Sequence, residues 1–125
     1  MTDYHEQWDA LPEQVRDFHR ALSSLKEEIE AIDWYHQRHE LCSDAELKRV
    51  IAHNRDEEME HAAMTLEWLR RNMPGWDEAL RTYLFTESEI TEKEAALNGS
   101  NAADEASVDR GGRPRALPIG SLKGK

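Results

Sequence analysis

The chain reads as an all-α protein, an antiparallel hairpin of two long helices followed by short C-terminal helices. Three observations predict this. Apolar residues recur along residues 11–32 at alternating steps of four and three, the period of left-handed bundle packing. A second stretch of similar length keeps that period but carries polar residues at its centre. Apolar residues make up 38% of the chain and charged residues 34%, a balance suited to amphipathic helices with charged outer faces.

The first helix is predicted from about Pro12 to His39, with Leu11, Val15, Phe18, Leu22, Leu25, Ile29 and Ile32 as its seam. Pro12 suits a first helical turn, where its missing N–H leaves no bond unmade. A break is expected near Leu41-Cys42. Ser43-Asp44-Ala45-Glu46 then has the form of a capping box, with the Ser43 hydroxyl accepting from the Glu46 N–H. The second helix is expected from about Asp44 to Asn72, ending before Pro74-Gly75. Each helix would span about 45 Å at a rise of 1.5 Å per residue. So short a connection makes the two antiparallel neighbours.

Trp76 to Phe85 reads as a shorter third helix with Trp76, Leu80, Tyr83 and Leu84 as its apolar stripe. Thr91-Glu92-Lys93-Glu94 can cap a last short helix that Asn98-Gly99 would end. Residues 1–97 are therefore the expected helical domain. From 98 to 116, Asn, Gly, Ser, Asp and Ala dominate without periodicity, the composition of a disordered linker. Residues 117–125 form a separate tail.

Net charge is −10, but Arg110, Arg113, Arg115, Lys123 and Lys125 stand beyond all the acids. Setting those five aside leaves 11 basic residues against 26 acidic ones, a net of −15 over residues 1–109. An excess that acidic argues against nucleic acid as a partner and suits cations or plain solubility. Cys42 is the single cysteine, so no internal disulfide forms, which fits a reducing cytoplasm. The start, MTDYHEQWDA, is acidic and polar, unlike a signal peptide. No apolar run approaches the roughly 18 residues of a membrane span.

The chemistry is concentrated where the second helix departs from an apolar seam. Its seam positions read Leu47, Val50/Ile51, Asn54, Glu58, His61, Thr65 and Trp68. A buried carboxylate without a partner is costly, so something should compensate Glu58. Glu58 and His61 are three residues apart and share a helix face, so they can offer an oxygen and a nitrogen to one metal. An acid-x-x-His match arises readily in so acidic a chain, and Asp33-x-x-His36 is a second one. Position separates the two. Glu28 lies three residues after Leu25 and four before Ile32, on the packed face of the first helix and level with the middle of the second. Ferritin-like di-iron sites take a Glu from each of two helices and a Glu-x-x-His from each of two others. One chain holds half of that set, and a two-fold dimer would complete a four-helix bundle around it. Two copies of Glu28 and Glu58 would bring four negative charges to two Fe²⁺ ions. His36 and His39, at the negative end of the first helix dipole, read as structural positive charges.

At these residues the sequence resembles the encapsulated ferritins. The likeness is carried by Glu27-Glu28-Ile29-Glu30-Ala31-Ile32-Asp33-Trp34-Tyr35, by the run from His53 through Arg71, and by Arg81-Thr82-Tyr83-Leu84-Phe85-Thr86-Glu87. The resemblance implies a ferroxidase feeding iron storage, with Glu28, Glu58 and His61 of two subunits as metal ligands and Tyr35 close to the metals. It implies that metal enters by Glu27 and Glu30 beside Trp34. It also implies an annular decamer of five dimers. The tail, Leu117-Pro118-Ile119-Gly120-Ser121-Leu122-Lys123, resembles a cargo-loading peptide for an encapsulin shell. There Leu117, Ile119 and Leu122 would be apolar anchors, and Gly120 would let the backbone lie close to a groove. Many copies on one oligomer would add avidity. The expected location is the cytoplasm, inside that nanocompartment. Two other functions fit the same residues: another di-iron or di-manganese enzyme (a peroxide scavenger or oxygenase), and a non-catalytic helical cargo adaptor whose charged seam sets dimer register.

Overall fold

The computed structural model describes the backbone of residues 3–107 and the side chains of residues 3–99. A short 3-10 turn, Trp8–Ala10, precedes four helices: α1 (Glu13–Leu41), α2 (Ala45–Asn72), α3 (Trp76–Tyr83) and α4 (Ile90–Ser107). Contacts divide the chain between Met73 and Pro74 into a hairpin unit and a C-terminal unit, each described here by itself.

α1 and α2 pack side by side as the predicted hairpin. Pro12 stands at the N-cap of α1, and its carbonyl accepts from the N–H groups of Val15 (3.0 Å) and Arg16 (3.1 Å). α1 runs to Leu41, half a turn beyond the expected His39. The predicted capping box at Ser43 does not form. Asp44 is the N-cap instead, its carboxylate accepting from the Leu47 N–H at 2.8 Å. Asp outranks Ala as a cap partner by about 1 kcal/mol, and an anion also meets the positive end of the helix dipole. The hairpin's open end is braced by the Phe18 and Trp68 rings, edge to face at 6.2 Å. The N-terminal segment lies against α1, with Tyr4 stacked on His19 at 3.9 Å and the Arg16 guanidinium over the Trp8 ring.

The seam of α1 lies partly elsewhere than predicted. Among the half-buried positions, Phe18, Ala21, Leu25, Glu28, Ile32, Tyr35 and His39 form a row at steps of three and four. Val15, Leu22 and Ile29, expected in the seam, are 39%, 37% and 55% exposed. The apolar band of α1 is wider than one helix contact can cover, so a single α2 leaves part of it open. α2 behaves alike: Leu69 is its one fully buried residue, while Leu47, Val50, Met59, Met64 and Trp68 are exposed. Among the described residues Leu69 is the whole of the buried apolar core.

In the C-terminal unit, Gly75 at φ +102° makes the turn into α3, a conformation that favours glycine. α3 ends at Tyr83 rather than Phe85, because Phe85 at φ +57° has left the right-handed helical region. α4 is not capped by Thr91. The Glu89 carboxylate accepts from the Glu92 N–H at 2.8 Å and from the Thr91 hydroxyl. Nor does α4 stop at Asn98-Gly99: residues 98–107 of the expected linker are helical, since one glycine followed by alanine-rich sequence weakens a helix without ending it. The remainder of that linker and the tail residues Leu117, Ile119, Gly120 and Leu122 lie outside the described residues. Among the described residues no helix is long and apolar enough to cross a membrane.

Candidate metal centre

Two cross-helix hydrogen bonds set the register of the hairpin near its middle. The Thr65 hydroxyl of α2 donates to Glu28 Oε2 of α1 at 3.2 Å. Nearer the loop, the Arg55 guanidinium donates to His36 Nδ1 at 3.1 Å. An arginine can only donate, so the imidazole nitrogen is the acceptor in this contact. Counting between these two bonds puts Tyr35 level with Glu58. The Arg38 guanidinium lies over the Tyr35 ring, 5.4 Å from its centre.

Glu58 and His61 sit one turn apart on α2, as the spacing requires, with His61 Nδ1 3.7 Å from Glu58 Oε2. That distance is too long for a hydrogen bond and leaves both groups free to turn toward a shared cation. Glu58 is the more sheltered, at 26% side-chain exposure against 46% for His61. Glu28 is half-buried. The donor set is thus two carboxylates and an imidazole, hard oxygen and borderline nitrogen, which suits iron or manganese. One chain does not close a site: among the described residues no group of three or more His, Cys, Asp or Glu converges on a metal position.

A groove on one side of the hairpin is lined by Asp17, Arg20, Ala21 and Ser24 of α1 and by Met64, Thr65 and Trp68 of α2. Of the candidate ligands, Glu28 follows Ser24 by one turn and His61 precedes Thr65 by one turn, so both stand one turn nearer the loop than the groove. Glu27, Glu30 and Trp34 are all exposed, on the outer surface of α1; Trp34 is 52% exposed. His53 and Glu57, unremarked in the sequence, form an exposed pair at 2.8 Å one turn apart. Sequence reasoning gave Thr65 a seam position but missed its bond to Glu28. The signal was available in its placement, one turn after His61 on the face that carries Glu58.

The fold is that of an all-α, ferritin-like helical protein. Residues 3–87 match the EncFtn-like family, and the chain belongs to that family. It is 63% identical over 102 residues to a ferritin-like protein of Thermotoga maritima, covering 81% of this chain and 90% of that one. It is 53% identical over 126 residues to the encapsulated ferritin-like protein of Rhodospirillum rubrum, covering 97% of this chain and 88% of that one. Among solved structures, protein ne0167 of Nitrosomonas europaea superposes with a TM-score of 0.69 at 54% identity, over 71% of this chain and 98% of the other. The resemblance to encapsulated ferritins and the all-α, ferritin-like fold are both borne out.

Proposed function

We propose that the chain is a ferroxidase, with Fe²⁺ as its substrate, held at a di-iron site between two copies. The observation that carries this is Glu28, tied to α2 through Thr65, together with Glu58 and His61 one turn apart on α2, in a hairpin whose apolar residues one chain leaves largely exposed. A second copy packed on that hairpin would add the same three groups. Four carboxylates would then balance two Fe²⁺, and two imidazoles would complete the ligand set. Metal would favour the dimer, since without it the carboxylates repel.

Each Fe²⁺ gives one electron to oxygen or peroxide, and the carboxylates favour the Fe³⁺ product as hard ligands. Tyr35, level with Glu58, would lie near the metals. Glu27 and Glu30, exposed beside Trp34, would gather cations at the surface. The apolar positions Val15, Leu22 and Ile29 lie around α1 from the groove side, so each copy has a further surface for another neighbour. Two such surfaces are what a ring of dimers, here an annular decamer, needs.

The helical body would be residues 1–97, tethered through 98–116 to a shell-binding peptide at 117–125. Ferric iron would leave for mineralisation and storage in the lumen of an encapsulin compartment within the cytoplasm. The name of the Rhodospirillum relative, an encapsulated protein, supports this location.

The test is anaerobic addition of Fe²⁺ to the assembled protein, then oxygen, followed optically. Glu28→Ala, Glu58→Ala and His61→Ala are each expected to slow oxidation roughly tenfold or more. Rates equal to the protein-free background in the unmodified chain would overturn the ferroxidase reading.

A further inference from the structure

Thr65 has one hydroxyl proton and two acceptors within reach: the His61 carbonyl of its own helix at 3.0 Å and Glu28 Oε2 of α1 at 3.2 Å. The first is the ordinary choice of a threonine inside a helix, the carbonyl four residues back. The second is an anion on the neighbouring helix, and a bond to an ionised acceptor is the stronger of the two kinds. Glu28 and Thr65 are both half-buried, so the bond is partly sheltered from competing water. It engages one oxygen of Glu28; among the described residues Oε1 has no hydrogen bond.

We propose that Thr65 is a positioning residue for Glu28. Its hydroxyl holds Oε2 against α2, which restrains the carboxylate and leaves Oε1 for a cation. The same hydroxyl reports on the other ligands, because its fallback acceptor is the carbonyl of His61. If a cation draws Oε2 away, the proton turns to that carbonyl and no donor is left unpaired. The bond therefore orients Glu28 before metal arrives without opposing a bidentate shift afterwards. Side chains that hold a metal ligand in this way typically govern affinity tenfold to a hundredfold. The partial exposure of the pair places the effect at the low end of that range.

This inference rests on reading Glu28 as a metal ligand, and the experiment separates the two. Fe²⁺ binding is titrated by calorimetry under anaerobic conditions with the full-length assembled protein, and thermal midpoints are measured without metal. Thr65→Val keeps the branched shape and removes the hydroxyl; Thr65→Ser keeps the hydroxyl and removes the methyl. Thr65→Val is expected to weaken Fe²⁺ binding about tenfold with a thermal midpoint close to the unmodified protein's. Thr65→Ser is expected to restore the affinity. A packing role would instead be rescued by Val and not by Ser. Should Val disturb the hairpin, Thr65→Ala removes the hydroxyl with no added bulk and is read against Thr65→Ser. If Thr65→Val binds like the unmodified chain while Glu28→Ala is weakened, the positioning role is overturned and the site stands. If Glu28→Ala also binds normally, the site itself is overturned, and the role of Thr65 with it.

Discussion

Asp44 accepts from the Leu47 N–H at 2.8 Å, while its neighbour Ser43 makes no cap bond. A cap satisfies an N–H that the helix itself cannot. Asp44→Ala is therefore expected to destabilise the hairpin by about 1 kcal/mol, and Ser43→Ala by a few tenths at most. Urea denaturation of both variants checks this. Equal effects, or a larger one for Ser43, would mean that α2 starts at the serine. Glu58 and His61 show the same dependence on local geometry. Their i, i+3 spacing guarantees a common face, but the 3.7 Å separation of their polar atoms is a matter of rotamers.

At the scale of an element, the last turn of α2 carries a compact charge cluster. Glu67 accepts from Arg70 at 2.7 Å and from Arg71 at 2.6 Å. The hydrogen bond from Arg70 first, then that from Arg71, holds the Glu67 carboxyl down from 4.5 to about 2. The arginines also face the negative end of the helix dipole. Because the folded value lies below the unfolded one, the cluster's contribution to stability is present above pH 4.5. It fades as pH falls and is gone once pH passes below about 2. Its size is small, since the groups are exposed and salt screens them. Carbon NMR of the Glu67 side chain should give a midpoint near 2, moving toward 4.5 in Arg70→Ala. A midpoint near 4.5 in the unmodified chain would mean the cluster does not persist in solution.

At the scale of the molecule, the exposed apolar residues outweigh the buried ones among the described residues. Leu69 is fully buried, whereas Ile29, Trp34, Leu47, Val50 and Met64 are about half exposed or more. A hairpin of two helices has too little interior to bury so wide an apolar band, and burial against other copies would remove that cost. The tail belongs to this scale too. On the proposed function, deleting residues 116–125 is expected to abolish co-purification with shell protein while leaving iron oxidation within about twofold, because none of the candidate ligands is removed and chain termini tolerate truncation. Retained encapsulation would show that another surface does the docking.

Sequence alone determined the helices and the hairpin. A period of three and four residues is written in the side chains, and Cys42 and Pro74-Gly75 mark where it breaks. It also singled out Glu28, Glu58 and His61, because ionisable residues in an apolar seam are costly enough to stand out. Only the structure decided which stripe of each helix is covered, that Asp44 and Glu89 do the capping, that Arg55 meets His36, and that Thr65 reaches Glu28. The two caps depend on local rotamers, which several neighbouring polar residues could satisfy. The covered stripes and the cross-helix bonds depend on register and rotation between α1 and α2, and a turn's difference in either would leave the pattern of the sequence unchanged and move those contacts.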